Sequence, residues 1–390
     1  MKILIGHNRY QWHGGEDAVV TAEAALLRSQ GHDVVEFMAD NTAFLQTSQK
    51  NLFGTASNFF WSKTSYQQLT TVLKEFRPAV AHFHNIYFAL TPSVYAACRN
   101  NGVAVVQSLH NFRMFCANGL MFRDGHLCRE CLEGSPLAGI RHRCYKDDIV
   151  ATSLVTALTS WHRRTHTFDR YVNLFITATD FTRQQYVQAG LSKDQIYIKP
   201  NVYYPDVPYQ QPKGQYALYV GRLSAEKGVI GILETFKHMQ HIPLKIVGDG
   251  PLRPDVLRLL EDPLLAHVQW LGRLDDEALR QAMHGAKMLV VPSTCYENFP
   301  RVVVEGYAFG LPVVAFAQGS FNDIVREQSG VLVPTGSWEG FAGAVDQCAA
   351  FTSAQHDQVR MIYERDFSPT TNYQQLMNIY QLAISKAGGR

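Results

Sequence analysis

Short apolar runs alternate with segments of helical period along almost the whole of this sequence. KILIG, EDAVVTAEAALLRSQG and DVVEF, between residues 2 and 37, read as a strand, a helix closed by Gly31 and a second strand. AVAHFH, VAVVQSLH and LFITAT extend the series, and each apolar run ends in polar residues. This rhythm belongs to a parallel sheet with crossover helices. In open parallel sheets ligands gather at the carboxyl ends of the strands, so the polar endings define one rim.

The alternation breaks once, at IYIKPNVYYPDVPYQQPKG, which carries four prolines between residues 200 and 212 and no helical period. It restarts with YALYVG, GVIGILETFKHM and PLKIVGDG and runs on through VQWLG, MLVVPS, VVVEGYAFG, PVVAF and SGVLVP. The pattern predicts domains over 1–199 and 213–370, a linker over 200–212 and a terminal helix over 371–390. The expected fold class is α/β, with two Rossmann-like, doubly wound domains facing each other across a cleft. A length of 390 residues suits this division, since single cores are typically built from about 100–200 residues.

Lysine and arginine number 36 against 34 aspartates and glutamates, so no global field draws the chain onto nucleic acid. The opening MKILIGHNRY has too short an apolar run for a signal peptide, and no apolar run approaches the roughly 18 residues that span a bilayer. The expectation is a cytoplasmic protein whose seven cysteines are thiols or metal ligands.

VGRLSAEKG places Gly221 at a strand end, followed by Arg222 and Lys227 ahead of a helix. The glycine lets a ligand approach the backbone and the two cations suit a diphosphate, although the same residues also suit a solvated loop. IVGDGP supplies Gly248 and Gly250 at the next strand end, and WLGRL repeats the form with Gly272. In CYENFPRVVVEGYAFGLPVVA, seven residues lie between Glu297 and Glu305, the first before and the second within a helix expected from about Pro300 to Gly310. A carboxylate beside valines is costly unless it accepts hydrogen bonds, and ligand hydroxyls are suitable donors. A capping glutamate and a surface glutamate form the plainer alternative.

In this order, VGRLSAEKG, IVGDGP and the paired glutamates resemble the donor half of family 4 glycosyltransferases of the GT-B fold, over residues 216 to 335. The resemblance implies a retaining sugar transfer from a UDP- or GDP-sugar to a glycan or lipid-linked acceptor, without a catalytic metal. A bacterial cell-surface polysaccharide pathway is the implied setting. Arg222 and Lys227 would hold the diphosphate and stabilise its departure, Glu305 would take the ribose hydroxyls, and Glu297 would contact the donor sugar beside the backbone of Asn298 and Phe299. The first domain would bind the acceptor. There Gly14 and Gly15, in HGGEDAVV, would bring amides to the phosphate or the sugar, with Asp17 at the family's acidic place. His110 would be the active-site histidine facing the donor sugar. His84 is a candidate pocket residue and His82 a structural one.

Cys116, Cys128, Cys131 and Cys144 fall within 29 residues of an insertion over 112–145. They suggest a structural zinc site, with buried thiols and a redox or iron–sulfur role as alternatives. TSWHRRTHTFDRYVN offers either a weak membrane-surface contact through a basic amphipathic face or a solvated helix with its aromatics turned inward. Rival functions are a nucleotide-sugar epimerase or a sugar phosphorylase on the same fold, or a silent sugar-nucleotide-binding partner. A dehydrogenase is disfavoured because GHNRYQWHGGE lacks the G-x-G-x-x-G signature.

Overall fold

A computed structural model of the chain describes residues 1–9, 14–40, 58–204, 207–211 and 214–388. Residues 205, 206 and 212 of the expected linker lie outside these, as do 213 and 389–390. The chain divides into two compact units. The first joins Met1–Gly119, Arg129–Pro205 and Pro369–Arg390, and the second joins Leu120–Cys128 with Asp206–Ser368.

The first unit is built on strands β1 (Lys2–Arg9), β2 (Asp33–Asp40), β3 (Val80–Phe83) and β4 (Ala104–Ser108). The short β5 (Phe122–Arg123) and β6 (His126–Leu127) form an antiparallel hairpin that groups with the second unit. β7 (Leu174–Thr177) and β8 (Ile196–Ile198) complete the first sheet, whose order is β2-β1-β3-β4-β7-β8 with every pair parallel. Helices cover both faces of such a sheet, which is why its strands are nearly continuous apolar runs rather than alternating ones. The helix Gly15–Ser29 buries Val20, Ala24 and Leu27 against Ile3, Ile5, Val80 and Val106. The last helix, Pro369–Gly388, presents Leu376, Ile379, Tyr380 and Ala383 to the same core. Each large apolar side chain buried this way contributes on the order of 1.5–3 kcal/mol before entropy is counted.

The second unit contains β9 (Tyr216–Val220), β10 (Leu244–Val247), β11 (Val268–Gly272), β12 (Ala286–Val291), β13 (Val313–Phe316) and β14 (Gly330–Val333). They lie in the order β11-β10-β9-β12-β13-β14, again all parallel. Its core joins β9, β10, β12 and β13 to the helices Val229–Phe236 and Trp338–Ala349 through Ile232, Leu233, Phe236, Phe341 and Val345. In each sheet the chain runs outward in one direction and then returns to run in the other. The resulting switch points lie between β1 and β3 and between β9 and β12, and crevices for ligands open beyond strand ends at such points.

Candidate functional site

The second unit's switch point is formed by loops that only glycine allows to meet. Gly228 has φ +70°, and a Cβ on it would stand 2.1 Å from the carbonyl oxygen of Pro292, just after β12. That close approach lets Thr294 N–H donate to Glu226 O at 2.9 Å and delivers Lys227 to the segment after β12. The Lys227 ammonium there forms an ion pair with Glu297 Oε1, which also accepts the Ser293 hydroxyl at 2.8 Å. Burial on its own would lower the Lys227 ammonium, but the Glu297 carboxylate outweighs it and holds the group above its ordinary range.

Gly248 and Gly250 have a different reason to be glycine. With φ +134°, Gly248 would place a Cβ 1.9 Å from Gly221 O, and a Cβ on Gly250 would lie 2.5 Å from Leu223 O. These two glycines let the loops after β9 and β10 lie backbone to backbone, fastened by Leu223 N–H to Asp249 O at 3.0 Å and Leu252 N–H to Leu223 O at 2.9 Å. Gly221 itself meets only ordinary contact, at 3.4 Å from the Tyr219 hydroxyl. Arg222 is exposed, and its guanidinium has no ion-pair partner among the described residues. Gly272, with φ +69°, closes β11.

The helix expected near Pro300 runs Arg301–Ala308, with Gly310 at φ +69° beyond its end. Val303 and Val304 are buried, and Glu305 lies on the partly open face with Arg301 Nη2 2.9 Å from its carboxylate. Asn298 O accepts the Ser320 hydroxyl at 2.9 Å, while both polar side-chain atoms of Asn298 are buried without a hydrogen-bond partner. Phe299 is buried beside it. Gln318 stiffens the loop by donating to Ser293 O at 2.6 Å and Cys295 O at 3.0 Å. The Cys295 thiol is pushed up to about 12, chiefly by burial, and is chemically quiet.

In the first unit Gly14 precedes the helix Gly15–Ser29, and its N–H donates to Asp17 Oδ2 at 2.9 Å. The other oxygen of Asp17 lies 3.0 Å from His7 Nε2. At the ends of β3 and β4, His84 Nδ1 and His110 Nε2 are 2.8 Å apart with their rings parallel. Behind them His82 Nδ1 lies 2.7 Å and His84 Nε2 3.4 Å from Glu23 Oε1, and Glu23 Oε2 lies 3.1 Å from Lys199 Nζ. Lys199 also donates to Asn372 Oδ1 at 2.9 Å and Pro200 O at 3.2 Å, so its three N–H bonds have three acceptors. Burial opposes the charge on Glu23, but Lys199 and His82 hold its carboxyl well below the usual range. Burial lowers His84 to about 3, and it lowers His110 too. Among the described residues Glu23, His82 and His84 are the one group of three or more metal-ligand types with ligand atoms within 4.8 Å of one another. The Lys199 ammonium already occupies the cation's place there, and a divalent ion would stand against it.

The four cysteines of the insertion form no such group among the described residues. Cys116 donates its thiol to Asn118 Oδ1 at 3.0 Å instead.

Residues 207–363, within the second unit, match the family described as Glycosyl transferases group 1. The family match thus falls on the second unit and covers less than half of the chain. Among the curated relatives of this chain is the phosphatidyl-myo-inositol mannosyltransferase of Mycobacterium leprae, 33% identical over 141 residues, or 34% of this chain and 36% of the relative. A putative teichuronic acid biosynthesis glycosyltransferase of Bacillus subtilis, TuaC, is 28% identical over 144 residues, or 37% and 33% of the two chains. The alignments therefore span about a third of the length of these curated relatives. In fold, the chain resembles the crystal structure of Anabaena Alr3699/HepE in complex with UDP-glucose, with a TM-score of 0.65 and 17% identity over 97% of this chain and 98% of that one. Its two parallel six-stranded sheets are those of the GT-B glycosyltransferases.

The fold thus brings Lys227 to Glu297 and His84 to His110, whereas Arg222 stays exposed and Glu305 pairs with Arg301. Reading the sequence alone missed Glu23, Lys199, Ser293 and Gln318. Glu23 did leave a signal, because it shares a helical face with Val19, Val20 and Leu27, where a solvated glutamate has no place.

Proposed function

We propose that the chain is a retaining glycosyltransferase that moves a hexose or related sugar from a UDP-sugar, or a GDP-sugar, to a glycan or lipid-linked acceptor of a bacterial cell surface. The observation that carries this reading is the Lys227–Glu297 pair at the β9/β12 switch point, with the exposed Arg222 in the same loop as Lys227. Two cations suit a departing diphosphate and need no catalytic metal, and preorganised charge of this kind is usually the largest single catalytic contribution. Glu297 would turn to the sugar and Glu305 to the ribose. UDP-glucose in HepE and the lipid acceptor named for the mycobacterial relative support the donor and acceptor classes.

The acceptor side also supports a membrane-surface role. Among the described residues no helix is long and apolar enough to cross a membrane. The helix Ile149–Arg164 nevertheless leaves Val150, Leu154 and Trp161 exposed along one face, near Arg163 and Arg164. A cavity of about 520 Å³ lined by Met114, Leu137, Phe168, Arg163 and Arg164 adjoins it. This pairing of apolar and basic groups suits an anionic amphiphile at the cytoplasmic face of a membrane.

The test is calorimetric titration with UDP-, GDP- and ADP-sugars, followed by turnover with the donor that binds. Transfer that stops in Lys227→Ala supports the proposal. Failure of every nucleotide sugar to bind overturns it, and release of free sugar only on adding inorganic phosphate favours the phosphorylase.

A further inference from the structure

His110 sits at the end of a buried chain of polar groups that leaves its ring no choice of tautomer. The chain starts at Lys199 and Glu23, whose side chains are 2% and 1% exposed, and passes through His84. His84 Nε2 and Glu23 Oε1 are both buried without a hydrogen-bond partner and face each other at 3.4 Å. A bare lone pair there would face the carboxylate, which Lys199 and His82 keep ionised. Only a proton on Nε2 relieves that repulsion. A neutral imidazole carries one N–H. His84 Nδ1 is then bare, and the His110 Nε2 that lies 2.8 Å from it must donate.

We propose that Glu23 is a positioning residue that, through His84, fixes His110 as the Nε2–H tautomer and so presents His110 Nδ1 as a hydrogen-bond acceptor on the rim beyond β4. A group of this kind takes a hydroxyl of a sugar and rejects a carbonyl, a phosphate oxygen or any other pure acceptor. The inference rests on the glycosyltransferase reading only for the identity of that hydroxyl. The tautomer follows from the chain of groups alone.

His82 fits the same arrangement. Its Nδ1 lies 2.7 Å from Glu23 Oε1 and 2.8 Å from the Tyr380 hydroxyl, and its Nε2 lies 2.8 Å from the Ser108 hydroxyl. Glu23 thereby faces both histidines of the HFHN segment, and the last helix, which supplies Tyr380 and Asn372, braces His82 and the Lys199 ammonium.

The test is two-bond proton–nitrogen NMR of the full chain labelled with 15N-histidine, in which the ring nitrogens reveal the tautomer directly. His84→Gln and His110→Gln assign the signals. In the wild type His84 and His110 should both show a protonated Nε2 and a bare Nδ1. In Glu23→Gln, whose amide can donate as well as accept, the His110 signals should move toward a mixture of tautomers. A wild-type His110 protonated on Nδ1 overturns the proposal, as does an unchanged His110 spectrum in Glu23→Gln. If Glu23→Gln does not fold, the double variant Glu23→Gln with Lys199→Met removes both buried charges together and is read in the same way. The measurement needs no substrate, so its failure is distinguishable from failure of the transferase reading, which the donor titration decides.

Discussion

Lys227 and Glu297 neutralise each other across the ends of β9 and β12, although 69 residues separate them in the sequence. The pair is partly open, with side chains 28% and 15% exposed, so solvent limits what it contributes to stability. Its significance lies in what a diphosphate would change. Phosphate oxygens would compete for the Lys227 ammonium and release Glu297 Oε1, leaving Ser293 to hold the carboxylate in place.

Lys227→Ala should therefore cost binding more than folding. Loss of one charge-assisted hydrogen bond removes about 1.5–3 kcal/mol, which corresponds to a roughly 10- to 100-fold weaker Kd for UDP. Titration calorimetry measures the affinity, and urea unfolding should show a midpoint close to that of the wild type. An unchanged Kd would remove Lys227 from the donor site.

Gly228 and Gly221 separate two readings of glycine in the same loop. Gly228→Ala meets a left-handed φ and a carbonyl oxygen at 2.1 Å, whereas Gly221→Ala meets a hydroxyl at 3.4 Å with no positive φ. Backbone strain of this kind costs on the order of 1–3 kcal/mol, and the clash adds to it. Gly228→Ala should thus lower the unfolding free energy by about 2 kcal/mol or more, and Gly221→Ala by less than about 1 kcal/mol. Urea denaturation of the two variants side by side checks the order.

The strands and the loop after β9 were legible in the sequence because local signals decided them. Apolar runs of parallel-sheet type marked the strands, and Gly, Arg and Lys at a strand end marked the loop. The partners of those residues were not legible. Nothing near Ser293 or Gln318 announces that a turn will carry them to Glu297 and to the carbonyl of Cys295. The glycines were found, but not the neighbouring backbone that Gly248 and Gly250 accommodate. Phe168 turned inward as one alternative expected, while Trp161 of the same segment stayed exposed. Glu23 and Lys199 were invisible for a further reason: a buried ion pair needs both members, and they lie 176 residues apart.

Acid should weaken the first unit in the range where free histidine begins to charge. Burial lowers His84 from 6.5 to about 3 and His162 from 6.5 to about 4. A group whose folded value is depressed leaves stability intact above its unfolded value and removes it as pH falls toward the folded value. Glu23, also depressed, acts in the same direction below its ordinary 4.5. Between pH 6.5 and pH 5 the histidines should together remove on the order of 2–4 kcal/mol. Urea midpoints measured across that interval should fall steadily with pH, and a flat profile would mean that these rings are solvated.

The exposed face of the helix Ile149–Arg164 leads to the last prediction. Val150, Leu154 and Trp161 are 64%, 48% and 54% exposed, and at 100° per residue they fall on one side of the helix with Arg164 at its end. A solvated helix gains nothing from such a stripe, whereas an anionic bilayer receives the apolar groups in its interface and the arginines at its headgroups. The chain should co-sediment with vesicles of phosphatidylcholine and phosphatidylglycerol, less so with phosphatidylcholine alone, and less again as salt shortens the range of the charges. Leu154→Ser with Trp161→Ser should lower the partition coefficient at least roughly 10-fold, because each buried side chain is worth about 1.5–3 kcal/mol and about 1.4 kcal/mol is a factor of ten. Arg164→Glu should abolish the preference for the anionic lipid while leaving the unfolding midpoint in place. Equal sedimentation of all the variants with both lipids would mean that the stripe does not meet a membrane.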